Sequence, residues 1–190
     1  MNVLVLHGSP RKNGSSDTLV KHFLHGLNAD GSDTVREFYA NDVNVRPCQG
    51  CLTCAKLGNN TCAIEDDMQQ IYSAFVGADI VVWATPMYWG YMTAQLKTIL
   101  DRMEALASGP EENWKGKTFV VIITYHHHYQ STVAFFERIT PFFGVKLHTI
   151  VYHSLSKDGH GDVHASNCKE KLEEAFNLGK DLAAVSIRNG

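Results

Sequence analysis

The sequence predicts an α/β fold, a three-layer sandwich built on a five-stranded parallel sheet of order 2-1-3-4-5. Two observations predict it. Apolar runs of strand length alternate with amphipathic stretches of helix length along the whole chain. Three of those runs are nearly continuous in apolar character, as parallel strands covered on both faces must be. With right-handed crossovers, the ligand crevice of such a sheet lies beyond the carboxyl ends of strands 1 and 3.

The elements follow in order. Val3–Leu6 reads as the first strand and Ser16–Leu27 as the helix that crosses back. Thr34–Phe38 is the second strand, followed by an irregular stretch from Tyr39 to Asp66 and a helix over Asp67–Val76. A loop of that size in a compact domain is usually functional. The third strand, Ile80–Ala84, leads to a helix over Thr93–Ala107. Phe119–Ile123 and Ser131–Phe143 form the fourth unit, and Leu147–Tyr152 with Ser166–Ile187 the fifth. In the last helix Leu172, Ala175, Phe176, Gly179, Leu182 and Ala183 make one apolar stripe. No linker, repeat or low-complexity segment interrupts the pattern, so residues 1–190 read as one domain with a cysteine-containing loop at about 39–66.

Composition excludes several partner classes. The hydrophobic fraction of 44% is ordinary for a globular core. The net charge of −3 comes from mixed acids and bases, with no basic run for nucleic acid. No apolar segment is long enough for a membrane span, and the N-terminus lacks a signal-peptide pattern, which points to the cytoplasm. Four of the five cysteines fall in the window 48–62, unlike a secreted disulfide framework.

The first strand runs into His7-Gly8-Ser9-Pro10-Arg11-Lys12-Asn13-Gly14-Ser15-Ser16 and then a helix. Gly8 and Gly14 permit close backbone approach, while Ser9, Asn13, Ser15 and Ser16 offer side-chain donors. Arg11 adds a charged fork, and the helix N-terminus adds free N–H groups. The segment suits a phosphate monoester; the alternative is a polar turn with a serine cap and a solvated Arg-Lys pair. The third strand runs into Thr85-Pro86-Met87-Tyr88-Trp89-Gly90-Tyr91-Met92, again before a helix. Tyr88, Trp89 and Met92 are expected at the crevice mouth, where aromatic rings and a thioether suit a flat conjugated ligand. The alternative is that these side chains merely cap the core.

At this point the chain resembles the NADPH-dependent FMN reductases and flavodoxin-like proteins, including the iron–sulfur flavoproteins. The resemblance rests on Gly8-Ser9-Pro10-Arg11-Lys12, Pro47-Cys48-Gln49-Gly50-Cys51-Leu52-Thr53-Cys54 with Cys62, Asp66-Asp67-Met68, Ala84 to Gly90, Ala94-Gln95-Leu96-Lys97 and Asp101-Arg102. It implies non-covalent FMN, its phosphate on Ser9, Arg11, Asn13, Ser15 and Ser16 and its ring against Pro86, Met87, Tyr88, Trp89 and Gly90. It also implies ping-pong oxidoreduction, with NAD(P)H as the electron donor and a small molecule (quinone, nitro or azo compound, or flavin) as the acceptor. The chemistry would then reside on the flavin, with no catalytic side chain. A homodimer or homotetramer is implied as well. One departure from the family pattern is Thr124-Tyr125-His126-His127-His128-Tyr129, where a glycine-rich loop is common; Thr124 and His126 are candidate flavin contacts there.

In extended backbone only His126 and His128 would share a face, which argues against a three-histidine metal site. Cys48, Cys51, Cys54 and Cys62 have the spacing C-x2-C-x2-C-x7-C. Two-residue spacings let thiolates curve around one cluster. A [4Fe–4S] cluster, zinc, a disulfide and reduced thiols that pack the loop all remain open. The corresponding alternative function is an iron–sulfur flavoprotein that relays electrons. An electron-carrier flavodoxin fits less well, because such carriers are strongly acidic for docking. Cys168 is assigned no role.

Overall fold

Residues Asn2 to His7 alternate between two apolar faces, and this strand, β1, is an interior strand of the sheet with its side chains from Val3 onward buried. The computed structural model describes residues 1–28, 31 and 33–189. The other strands are β2 (Thr34–Tyr39), β3 (Ile80–Tyr88), β4 (Tyr91–Met92), β5 (Thr118–Tyr125) and β6 (Lys146–His153). The helices are α1 (Ser15–Leu27), α2 (Thr53–Leu57), α3 (Met68–Gly77), α4 (Ala94–Arg102), α5 (Glu104–Ala107), α6 (Gln130–Phe142) and α7 (Lys169–Asn189). The parallel path is β2-β1-β3-β5-β6, which is the expected order over five strands. The sixth strand, β4, lies off that path and pairs antiparallel with the end of β3.

Strand alternation divides the core in two. Leu4, Leu6, Val81, Trp83, Phe119 and Val121 face α3, α4 and α6 through Met68, Phe75, Leu96, Ile99 and Phe136. Val3, Val5, Val82, Val120 and Ile122 face Leu19, Val20 and Phe23 of α1 and Ala175 of α7 on the other side. There α1 and α7 touch backbone to backbone. A Cβ on Gly26 would lie 2.0 Å from the Phe176 carbonyl oxygen, and one on Gly179 would lie 2.1 Å from that of Phe23. Alanine at either position forces the helices apart.

Four expectations need correction. The helix expected over Thr93–Ala107 divides into α4 and α5 at Met103, whose N–H bonds Leu100 in a tightened turn. The irregular Tyr39–Asp66 stretch contains the short helix α2. Strand 3 does not end at Ala84 but continues to Tyr88 through Pro86. The proline is tolerated for a geometric reason. The Ala84 carbonyl accepts from Gly8 on the β1 side; two residues on, Pro86 faces that same side, where β1 has already ended, so its missing N–H costs no ladder bond. Lastly, Met92 is buried in the core and does not reach the crevice mouth.

Candidate functional site

Beyond the carboxyl end of β1, the chain turns away through Gly8 to Ser16 before α1 begins. Gly8 has to be glycine because a Cβ would lie 2.9 Å from both Leu96 Cβ and Thr93 Oγ1. Thr93 is the link between the two crevice segments. Its hydroxyl donates to the Gly8 carbonyl (2.8 Å) and accepts from Leu96 N–H as the cap of α4, while its own N–H bonds Thr85 Oγ1 (3.2 Å). The loop after β1 and the end of β3 are therefore tied together through one side chain. Nothing in the local sequence around Thr93 indicates this second role.

The loop and its neighbours line a cleft of about 230 Å3. Ser9, Arg11, Asn13, Ser15 and Ser16 all border it, together with Pro86 and Thr124, which are register partners on β3 and β5. All seven are residues the sequence singled out as candidates; Asp162 and His164, which also line the cleft, were not among them. They come from the loop after β6, folded back on itself by the Leu155–Asp162 bridge and the Ser156 N–H to Gly161 bond. The turn residues Asp158-Gly159 and Gly161-Asp162 were the available signal.

Within this cleft several donors are already engaged. Arg11 Nη1 pairs with Asp162 Oδ2 (3.1 Å), and Asp162 Oδ1 meets His126 Nε2 (2.5 Å). Burial alone would raise the Asp162 pKa, but the hydrogen bonds from His126 and Arg11 outweigh it and hold the carboxyl below the ordinary range. Ser9 Oγ accepts from Arg11 N–H (3.1 Å), and Ser15 Oγ accepts from Ala165 N–H (3.0 Å). Asn13 stands in the left-handed region (φ 62°), with its side-chain oxygen bonded to Lys21 Nζ (2.6 Å).

A second cavity of about 450 Å3 adjoins the first across the Asp162–His126 contact. Met87, Trp89, Gly90 and all three of His126, His127 and His128 border it. The expectation that the histidines alternate in extended backbone is corrected here. β5 ends at Tyr125, and the chain bends so that the three rings share one cavity. Trp89 and Gly90 (φ 51° and 76°) form the two-residue turn between β3 and β4, both left-handed as a type I′ hairpin requires. A tryptophan in that region is uncommon and strained, and its indole is fully exposed at the tip. Tyr88 is half-exposed and borders neither cavity.

The cysteine segment is organised differently. Arg102, buried on α4, donates to the carbonyls of Arg46 (2.8 Å) and Ile64 (3.1 Å) and pairs with buried Asp66 (2.8 Å). Asp66 also accepts from Arg46 and Met68 N–H. One guanidinium thus fixes both ends of the segment. Between those ends Cys48 and Cys51 are exposed, while Cys54 and Cys62 are half-buried. Among the described residues no three His, Cys, Asp or Glu side chains converge as metal ligands. Cys168 packs against the α1–α7 core.

This architecture is flavodoxin-like, with both loops of its crevice built from donors and aromatics. Residues 1–156 match the model of the NADPH-dependent FMN reductase family, and the chain belongs to that family. It is 31% identical to an iron–sulfur flavoprotein of Methanocaldococcus jannaschii, over 97% of each chain. Among solved structures, the Trp repressor binding protein from Bacillus subtilis shares the fold at a TM-score of 0.66, with 18% identity over 93% of this chain and 96% of that one. An NAD(P)H:quinone oxidoreductase from Methanothermobacter marburgensis matches at 0.65, with 16% identity over 96% of each. At those identities the likeness speaks to fold alone. The chain is an NAD(P)H-dependent FMN oxidoreductase. Among the described residues no helix is long and apolar enough to cross a membrane.

Proposed function

We propose that this oxidoreductase passes electrons from NAD(P)H through FMN to a small-molecule acceptor of the quinone, nitro, azo or flavin class. One observation carries the reading: a donor-rich cleft at the end of β1 is joined through Thr93 to an aromatic hairpin at the end of β3. The donor set fits FMN. Ser9, Arg11, Asn13, Ser15 and Ser16 would hold the phosphate at the start of α1, where helix N–H groups add to the side-chain donors. Pro86, Met87, Trp89 and Gly90, with Tyr88 behind them, would flank the ring; Thr124 and His126 border the passage between the two cavities. When bound, FMN supplies hydride acceptance and onward electron transfer. The protein's part is to bind, orient and exclude water, so no acid–base side chain is assigned.

The test is to purify the chain anaerobically, record its visible absorbance, assay iron and zinc, and follow NAD(P)H oxidation with a panel of acceptors. Stoichiometric flavin and acceptor-dependent turnover are expected. Failure to bind flavin even after reconstitution overturns the reading. A second reading, an electron relay with a [4Fe–4S] cluster on Cys48, Cys51, Cys54 and Cys62, is favoured by the cysteine spacing and by the relative named above. About four irons per chain in the same sample would establish it. A homodimer or homotetramer belongs to the main proposal, with the exposed Trp89 tip at the subunit contact; light scattering on the purified chain reads the assembly directly.

A further inference from the structure

His7, the last residue of β1, is only 2% exposed, yet both of its ring nitrogens face carboxylates. Nδ1 lies 3.1 Å from Asp17 Oδ1 and Nε2 lies 2.8 Å from Glu37 Oε2. Ionised carboxylates only accept hydrogen bonds, and a neutral imidazole has one N–H to give. A neutral ring would therefore turn a lone pair toward one of the two carboxylates. The doubly protonated ring satisfies both, and it stacks flat on Tyr39 at 4.2 Å, an arrangement that suits a cation.

The position matters because of Asp17. Its side chain is buried in the first turn of α1, one residue past the donor loop, and its Oδ2 accepts from the Asn13 N–H (2.9 Å). A carboxylate there draws on the same positive helix end that a bound phosphate would use. The remaining charges around the ring are few. Lys21 on α1 bonds Asn13, and Lys12 lies over the Tyr39 ring and pairs with Asp42. Tyr39 OH reaches Asp17 (3.4 Å), and the β3 register partner of His7 is Ala84, which carries no charge. Among these, only His7 can cancel the Asp17 charge from inside the protein.

We propose that His7 is a positioning residue held as an imidazolium between Asp17 and Glu37, and that its charge offsets the buried Asp17 carboxylate beneath the donor loop, so that the loop's affinity for a phosphate monoester depends on His7 protonation. This rests on the reading of Ser9–Ser16 as a phosphate site. Burial lowers the His7 pKa, but the hydrogen bonds to Asp17 and then Glu37 outweigh it, and the net direction is upward from 6.5.

Two measurements test it on the full chain. The first is an NMR titration of the His7 ring nitrogens in flavin-free protein. The expected midpoint lies above the ordinary histidine value; a ring that is neutral at pH 7 overturns the proposal. The second is the affinity for FMN relative to riboflavin, which lacks the phosphate, from neutral pH upward. Their ratio cancels titration of the flavin ring itself. The FMN preference should fall by about tenfold through the His7 midpoint, and the His7→Gln variant should show a low preference that no longer changes with pH. A wild-type preference that stays flat through that midpoint overturns the role of His7 while leaving the phosphate site standing. Equal affinity for FMN and riboflavin at every pH overturns the phosphate site and the proposal together. Should the variant not fold, the wild-type ratio and the NMR midpoint still decide.

Discussion

The donor loop after β1 and the cysteine segment after β2 leave the same end of the sheet, but they are organised by opposite means. The first is braced from within: Ser9, Asn13 and Ser15 each hold a backbone or side-chain partner, and Asp17, His7, Glu37 and Tyr39 form a floor beneath them. The second is gripped at its ends by Arg102 and Asp66. Between them it is held more sparsely, by Asn60 bonded to Asn113 and by Cys54 and Cys62 packed on the core, with Cys48 and Cys51 exposed. The lesson concerns preorganisation. Fixed buried polar contacts shape a site in advance of its ligand, whereas a clamp on the ends of a segment leaves residues such as Cys48 and Cys51 exposed between its anchors.

The largest expected effect tests the clamp. Arg102→Ala leaves the buried Asp66 carboxylate without its guanidinium counter-charge, held mainly by the N–H groups of Arg46 and Met68, and should cost about 3–5 kcal/mol of stability, read as a shift in urea midpoint. A loss below about 1 kcal/mol would mean that the segment ends are held by something else. The same pair has a pH signature. Burial raises the Asp66 pKa, but the Arg102 bond and the N–H groups of Arg46 and Met68 outweigh it, so the folded value lies below 3.8. The contribution is then present above the unfolded pKa and lost as pH falls through the folded one. For His7 the sign reverses: its contribution is full below 6.5 and is lost as pH rises through the raised folded value.

On the donor-loop side, Arg11→Ala should weaken FMN by about 10- to 100-fold and leave riboflavin unchanged. Unaltered FMN affinity would remove the phosphate assignment. A smaller and opposite effect is expected from Asp162→Asn. Asp162 holds Arg11 in a half-exposed ion pair, so freeing the guanidinium should strengthen FMN by about two- to fivefold. Weaker binding in that variant would mean that Asp162 orients Arg11 instead of competing for it. The smallest effect separates the thiols. Hydrogen bonds from Thr53 lower the Cys51 pKa, and burial raises that of Cys54. Cys51 should therefore be alkylated by iodoacetamide faster than Cys54, with peptide mass spectrometry as the readout. Equal rates would show that the segment does not hold the environments described here.

Strands and their order were legible because an apolar run covered on both faces leaves its mark on every residue in it, as in Ile80 to Ala84. The helix break at Met103 and the hairpin at Trp89-Gly90 were not. Met103 is an ordinary helix former, and a left-handed tryptophan contradicts local preference. The three histidines were misread for a related cause: the alternation rule holds only while the strand continues, and β5 stops one residue before them.

Local pattern by itself determined the α/β class, the family, the donor content of Gly8 to Ser16 and the aromatic content of Met87 to Tyr91. Tertiary structure alone decided the pairings: His7 with Glu37 thirty residues on, Arg102 with Asp66, and Arg11 with Asp162 across 151 positions. The physical reason is that a periodic or turn-forming residue acts on its own neighbours in the chain. A charged side chain acts on whatever the crossovers bring within a few ångströms, and no local pattern records which residue that will be.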